Sequence, residues 1–526
     1  MLCVSLFCSL FAVSQTVVKG KISMSSDNSS IPGATVLIKG TSIGAATDIN
    51  GDYSLKLTEQ ADTLQISFVG FITVEVAIAG RAVVDVSMVE NTEQLSEFVV
   101  TALGISKEKK ALGYAVAEVD VSKMTKARDA NVVNTISGKV AGVQVSKTSG
   151  GPGTSSRIVI RGNKSISKSN QPLFVIDGVP MDNESRGGAG MWGGIDYGSP
   201  ISDINPDDIE SVTILKGPNA AAIYGSRAAF GVVLINTKKG TSRGGIGVSY
   251  NSTATFEFAD IQKKFQNEYG AGTNGVFEYQ ALANGDSLPY FNTSHLAKSW
   301  GPKMEDQAYI DWDGETRTYS AQPNNYKNFF RVGNTLTNSL SLDGGNDLAT
   351  FRLSYTNLKN RGMVPNTKFE RNTINFRSSA NLSDKLSADA KVNYIRQDAL
   401  NRLNQSDSRG AGRHYNFLPR NISDESLRNY KDENGDEKVW YSPWSWQSNP
   451  YWMMNENQNK DWRDRIVGFA SVNYKMLDWL SVNLRTGLDT YNERRQNSTA
   501  TGSKANSYGD HQESWLNFTE RNTDFL

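Results

Sequence analysis

The chain has 526 residues, enough for several domains, and 55 basic against 55 acidic residues, so no global field draws it toward nucleic acid or anionic lipid. Its 46 glycines and 10% aromatic share favour turn-rich β structure, and past residue 14 no apolar run approaches the roughly 18–20 residues of a spanning helix. A helical membrane protein is excluded; a β-barrel, whose alternating strands average out as hydrophilic, is not.

Residues 1–14, MLCVSLFCSLFAVS, read as a signal peptide cleaved before Gln15. No basic residue precedes the apolar run, as expected of a clipped start. Cys3 and Cys8 both lie inside it, so the exported chain is expected to carry no disulfide and no cysteine metal site. His295, His414 and His511 are far apart and lack ligand spacing, so neither metal nor cofactor is expected.

From Val17 to Met88 short alternating segments, such as Ala34–Lys39, Tyr53–Leu57 and Leu64–Phe68, are separated by turn residues. Asp48, Asn50 and Asp52, with Glu59 twelfth in line, mimic a calcium loop. Tyr53 stands where that loop needs glycine, so a hairpin turn with Gly51 at positive φ is the expectation. The pattern VKGKI…IPGATVLIKGTSIGAATDINGDYSLKL…LQISFVGF resembles the carboxypeptidase-regulatory-like domain, which implies a non-catalytic transthyretin-like β-sandwich over 15–90.

Residues 91–103 form a linker whose core, Glu97-Phe98-Val99-Val100-Thr101, is short, extended-prone and β-branched. By propensity alone it is equally a last sandwich strand or a segment that adds itself to another protein's sheet edge. Its position before the next domain, and an acid followed by valines and threonine, resemble the TonB box of the SusC/RagA family. Phe98 replaces the usual first valine.

Residues 104–240 read as a compact α+β domain. A short helix is expected around Val132, Val133 and Ile136, then strands at Val143–Val145 and Arg157–Arg161 about a glycine turn, Gly150–Gly153. A continuous apolar strand, Pro172 to Ile176, ends at the Asp177-Gly178 turn. Ile204 to Glu210 gives one helical turn, Ser211 to Leu215 a strand, Asn219 to Gly225 a small-residue helix, and Phe230 to Thr237 a strand. The order QPLFVIDGVP…ISDINPDDIESVTILKGPNAAAIYGSRAAFGVVLINTKKG resembles the plug domain of SusC/RagA-type TonB-linked proteins. Within it, Arg157, Arg161, Asp177 and Arg227 are candidates for bonds to a barrel wall. Trp192 and Tyr197, in the glycine-rich stretch RGGAGMWGGIDY, are candidates for stacking on substrate.

From 241 to 526, apolar and polar residues alternate between tight turns and longer excursions, the pattern of an antiparallel transmembrane β-barrel and equally of a soluble sandwich. The aromatics between Trp440 and Trp462 suit an interfacial girdle, a loop core or a sugar platform, and Asn449-Pro450-Tyr451-Trp452 resembles a recurring family motif. Asp432 to Glu437 reads as a solvated turn. Thr519 to Leu526 does not read as a terminal alternating strand. A plugged barrel needs about 22 strands, more than this segment supplies, so an incomplete barrel and an N-terminal fragment are the expectation.

The resemblance implies TonB-dependent import of a bulky nutrient, an oligosaccharide or a peptide, across the outer membrane, with no catalytic residues. TonB would grip Glu97 to Thr101, a SusD-like surface lipoprotein would deliver cargo, and outer-membrane lipid would surround the wall. The alternative reading is a receptor with a mainly signalling or adhesive role. A secreted enzyme lacks any paired carboxylates in a recognisable setting.

Overall fold

The computed structural model describes residues 17–526 apart from 42, 58–61, 69, 90–97, 101–105, 109–114, 120, 122–128, 149, 152, 167–169, 182–189, 191, 218–223, 292–295, 297, 406–409, 411–414, 441–447 and 505. The apolar leader therefore lies outside the described residues. So does most of the small-residue helix expected at 219–225. The chain divides into two compact units, Met1–Phe98 and Val99–Leu526.

The first unit is a β-sandwich. Val17–Met24 sits between Asp52–Lys56 and Val86–Met88 in one sheet; Gly44–Ala46, Thr35–Ile38, Thr63–Ser67 and Val74–Ala77 form the other. In Asp52–Lys56 every second residue is buried, which puts Tyr53 and Leu55 into the core with Val18, Val36, Leu64 and Ile66. The hairpin before it closes as expected. Gly51 adopts φ +80°, and the Asp48 carboxylate accepts from the backbone N–H groups of Asn50 and Asp52 at 2.8 and 2.9 Å. That oxygen caps its own turn rather than a cation.

The second unit begins with an inner domain. Its five-stranded sheet runs, in spatial order, Ala115–Val119, Ile209–Lys216, Val232–Thr237, Leu173–Ile176 and Val179–Met181. Both faces are covered, which is why Leu173–Ile176 carries four apolar residues in succession. Phe174, Ile176, Val212, Ile214, Val233 and Ile235 join one apolar layer; Leu173, Val175, Leu215, Val232 and Leu234 join the other. The first layer is completed by Val132–Ile136, a 3-10 helix capped by the Asn131 side chain, and by the hairpin of Val143–Lys147 and Ser156–Ile160.

Around this domain lies one antiparallel sheet of eight long strands, in chain order Arg243–Glu257, Gly333–Gly345, Ala349–Arg361, Lys368–Asn381, Leu386–Leu400, Gln458–Leu477, Leu480–Thr499 and Asp510–Phe525. The final segment, not read as a terminal strand, pairs with Leu480–Thr499 over its whole length. The side chains of this wall are inverted relative to a soluble sheet. In Lys368–Asn381, Ile374 and Phe376 are 45% and 46% exposed, whereas Thr373 and Asn375 are 2% and 3% exposed. Leu340, Leu353, Tyr355, Val392, Tyr394 and Ile466 also face outward, and Ser339, Ser354, Thr356 and Asn393 face the inner domain. A sandwich buries its apolar face; a membrane barrel exposes it. Among the described residues no helix is long and apolar enough to cross a membrane.

Short turns join the strands at one end of the wall and long excursions at the other. The excursions, read as loops, instead fold together into a lobe with its own core. A four-stranded sheet of Glu278–Ala281, Ser287–Tyr290, Gln307–Ile310 and Thr316–Tyr319 packs with Asp424–Leu427 and Pro450–Asn455 around Tyr309, Tyr319, Phe329, Tyr415 and Trp440. Trp440 and Trp452 are fully buried, so these two are lobe core rather than girdle, whereas Trp462 is half-buried on the wall strand Gln458–Leu477 and residues 441–447 lie outside the described residues. Asn449 caps the helix it precedes, accepting from Tyr451 N at 2.9 Å, with Pro450 in the first turn.

The outward face is expected to obey lipid energetics. Replacing Ile374 by arginine should cost about 2–4 kcal/mol if it sits at mid-bilayer, read as a shifted denaturant midpoint in lipid vesicles. A neutral result would argue that this face meets water.

Candidate functional site: the interface between inner domain and wall

The buried inward face of the wall is polar, so whatever it covers must answer in kind. Three inner-domain carboxylates do so. Asp177 lies in the two-residue turn between Leu173–Ile176 and Val179–Met181, at φ +48° with Gly178 at +85°. Both values belong to the turn that suits a tight hairpin, which Asp-Gly favours. It is this positive φ that calls for glycine at 178; a Cβ there would also meet the Arg485 guanidinium, the mobile end of a long side chain that can move aside. The turn aims the Asp177 carboxylate at Arg377 Nη1, 3.1 Å, and Lys391 Nζ, 2.8 Å, while Thr237 N–H and its hydroxyl donate from behind at 2.9 and 2.8 Å.

Asp203 ends the 3-10 turn Pro200–Asp203 and meets Arg463 and Arg465 at 2.9 and 2.8 Å. Those guanidiniums are also tied to Glu493 and Asp489 on the wall itself. Asp208 ends the next turn, Pro206–Asp208, and accepts from Ser354 Oγ at 2.7 Å and Arg352 Nη2 at 3.2 Å. Asn205 bridges to Thr356 at 2.8 Å. Arg371 donates to the carbonyls of Ser202 and Ala130, and Arg402 to that of Gly153 at 2.9 Å. The Gly150–Gly153 turn thus docks against the wall. Burial pushes both Asp177 and Asp203 carboxyls up, but the facing cations (Lys391 and Arg377; Arg463, Arg465 and Arg371) outweigh it and hold both below the usual carboxylate range.

Of the residues singled out from sequence as wall contacts, Asp177 makes two buried ion pairs and Arg227 makes one with Glu520 at 2.9 Å, largely exposed. Arg157 bonds instead to Asn163 within its own domain. Asp203, Asp208 and the wall arginines were missed. Their signal was parity: Arg463 and Arg465, like Arg371 and Arg377, fall on the polar register of strands whose other register is apolar.

Trp192 is exposed, whereas Tyr197 is buried with the Arg495 guanidinium 3.8 Å from its ring centre and Asn497 donating to its hydroxyl at 3.5 Å. Tyr197 lines a cavity of about 400 Å³ together with Arg402, Asn404, Met453, Asn459 and Ser498, at the long-excursion end; Trp192 is not among the lining residues. Glu97 and Thr101 lie outside the described residues. Phe98–Val100 form a short strand paired with Ser106–Glu108. Among the described residues no group of three or more His, Cys, Asp or Glu side chains could hold a metal ion.

Two family models match this chain: the TonB-dependent Receptor Plug Domain over residues 108–232, and the CarboxypepD_reg-like domain over 18–100. The TonB-dependent receptor SusC of Bacteroides thetaiotaomicron is 32% identical over 414 residues, 78% of this chain and 36% of the relative. The chain belongs to the SusC/RagA family of TonB-dependent receptors. TonB-dependent receptor P26 of Formosa agariphila is 29% identical over 86% of this chain and 40% of its own length. This chain therefore spans well under half of those relatives. The fold is shared with the RagAB peptide importer in its open-open state, at TM-score 0.57 and 18% identity, over 81% of this chain and 46% of that one. In family terms the inner domain is the plug, and the eight-stranded sheet belongs to the receptor's barrel.

Two outcomes test the plug latch. Asp177→Ala leaves Lys391 buried without its acid and should destabilise the docked plug by about 3–5 kcal/mol, with much of that recovered in the Asp177→Ala/Lys391→Met double variant. Equal losses in both would show that the pair is not coupled. Because the folded carboxyls are held low, their contribution is present above the unfolded value of about 3.9 and is lost as pH falls through the lower folded value. Plug protection in hydrogen exchange should therefore stay level from about pH 8 to 5 and drop only below about 4; a fall near neutrality would contradict the assignment.

Proposed function

We propose that this protein works in TonB-dependent import of a bulky nutrient, an oligosaccharide or a peptide, across the outer membrane. The observation that carries this reading is a membrane-type wall packed around a plug through a buried but separable polar interface. On this reading the short-turn end faces the periplasm and the lobe of long excursions faces outside. A SusD-like lipoprotein would hand cargo to that lobe and to the cavity beside Tyr197, with Trp192 exposed nearby as a further contact.

Glu97 to Thr101 would be the TonB-binding segment. A β-branched strand bound by main-chain hydrogen bonds can be captured at a sheet edge, and force applied there reaches the plug through Ala115–Val119, the edge strand of its sheet. Antiparallel pairing of Ala115 with Lys216 and Val119 with Val212 makes that strand the first plug element such a pull would load.

Val99→Pro removes a backbone donor from the captured strand and should abolish uptake while leaving the receptor displayed at wild-type level. Normal uptake by displayed protein would reject the box. Displayed receptor that supports no energised uptake of any nutrient, even unmutated, would favour the signalling reading.

A further inference from the structure

The plug's acids meet wall cations that are also one another's neighbours. In the wall register Arg352 lies directly opposite Arg377, and Arg377 directly opposite Lys391. All three side chains are buried beneath the plug and point to the same face. Arg485 extends this row: it lies against Gly178, and it shares the Phe469 ring with Arg377, their guanidiniums 5.6 and 5.4 Å from its centre. Like charges directly opposite in a sheet are destabilising. The arrangement therefore needs a compensating ligand.

That ligand is visible, and it is a carboxylate. Asp177 bridges Arg377 and Lys391, and Asp208 takes Arg352. From the wall itself, among the described residues, the four cations receive one ion-pair partner, Asp389 on Arg377, and Asp343 stands opposite Arg352 in the register. Among the described residues Arg485 has no acid at ion-pair distance, although Asp524 stands opposite it in the register, and its buried Nε has no hydrogen-bond partner. The plug thus supplies acids to a cationic row that the wall's own carboxylates neutralise only in part.

We propose that this row is an anion-selective belt on the route past the plug, and that the cargo carries carboxylates, which replace Asp177 and Asp208 as the plug moves aside. The inference rests on the import reading and deepens it by naming a cargo class. Guanidinium forks hold planar carboxylates bidentately, so three arginines and a lysine in one row suit successive acidic groups on an oligomer. A neutral cargo would leave Lys391 without an ion-pair partner once the plug acids withdraw, and Arg352 with only Asp343, which stands opposite it in the register and is already paired with Arg243, at a cost that a low-dielectric lumen magnifies.

The test is electrical. Receptor purified from outer membranes is placed in planar bilayers and urea is used to loosen the plug. Reversal potential is measured in a potassium chloride gradient, and block is measured with oligogalacturonate, oligoglutamate and neutral maltotriose. The belt predicts chloride preferred over potassium and block by the carboxylated probes but not by maltotriose. Lys391→Gln and, independently, Arg485→Gln, which breaks no ion pair of the docked plug, should move the reversal potential toward that of potassium and weaken block. Whether the saccharide or the peptide blocks more strongly identifies the source of the carboxylates. Potassium preference, or variants indistinguishable from wild type, would overturn the belt while leaving import standing. Failure of urea to open any conductance would overturn the plugged-channel reading and the belt with it.

Discussion

A sheet that shows apolar side chains to lipid must turn its other register inward, and that register is polar by necessity. Everything inside the wall follows from this constraint. The inner domain cannot dock mainly through an apolar patch, because most of the face it meets is polar or charged (Thr, Ser, Asn, Arg, Lys, Asp and Glu), with Val467 and Phe369 as apolar exceptions. It docks instead through carboxylates at the ends of tight turns and through backbone carbonyls, each matched to a guanidinium or ammonium group. Buried ion pairs of this kind roughly break even against hydrophobic packing, since desolvation offsets most of the attraction, but they tolerate no wrong register. The interface is specific without depending on a large apolar area.

The plug's own interior is built on the opposite principle. Two apolar layers flank its sheet, and each fully buried aliphatic or aromatic side chain contributes about 1.5–3 kcal/mol. The contrast assigns different strengths to the two kinds of contact. Water entering the interface can replace guanidinium–carboxylate bonds with hydration, whereas no solvent rearrangement replaces the packing of Phe174, Ile176, Val212 and Val233. Stress on this assembly is expected to part plug from wall before it dissolves the plug's apolar layers, with the edge strand Ala115–Val119 the least embedded exception.

How much of this was legible in the sequence depended on how local the controlling interaction was. The Asp177-Gly178 turn, the continuous apolar strand before it and the alternation of wall strands are set within a few residues, and each appeared as read. Asp203 and Asp208 were not legible as latches, because their partners lie 144 to 262 residues away and no periodicity links them. The lobe was missed for a related reason. Its core is assembled from two excursions separated by four wall strands, so neither segment shows a self-sufficient pattern. Trp440 then looks like surplus surface aromatic until Tyr309, Tyr319 and Phe329 arrive to cover it.

The lobe also shows how polar groups are handled where lipid imposes nothing. Glu437 is buried with no cation at ion-pair distance among the described residues, yet its carboxylate accepts from the backbone N–H groups of Asn449 and Lys504 at 2.6 and 2.7 Å and from the Ser448 hydroxyl. Burial pushes its carboxyl up, while these donors oppose the rise. It joins the Asp432 hairpin, the helix cap at Asn449 and the turn after Leu480–Thr499 at a single point. Asp424 plays the same part between Tyr415 and Tyr451, which donate to it at 2.6 and 2.9 Å. In the lobe, then, buried carboxylates fasten segments through neutral donors, with a cation close by in sequence added at Asp424 (Arg428) and Asp311 (Arg317), whereas along the plug they are satisfied by cations that belong to the wall. Where the partner sits, within one lobe or across a docking interface, rather than any difference in the carboxylates themselves, separates a permanent fastening from one that can be exchanged.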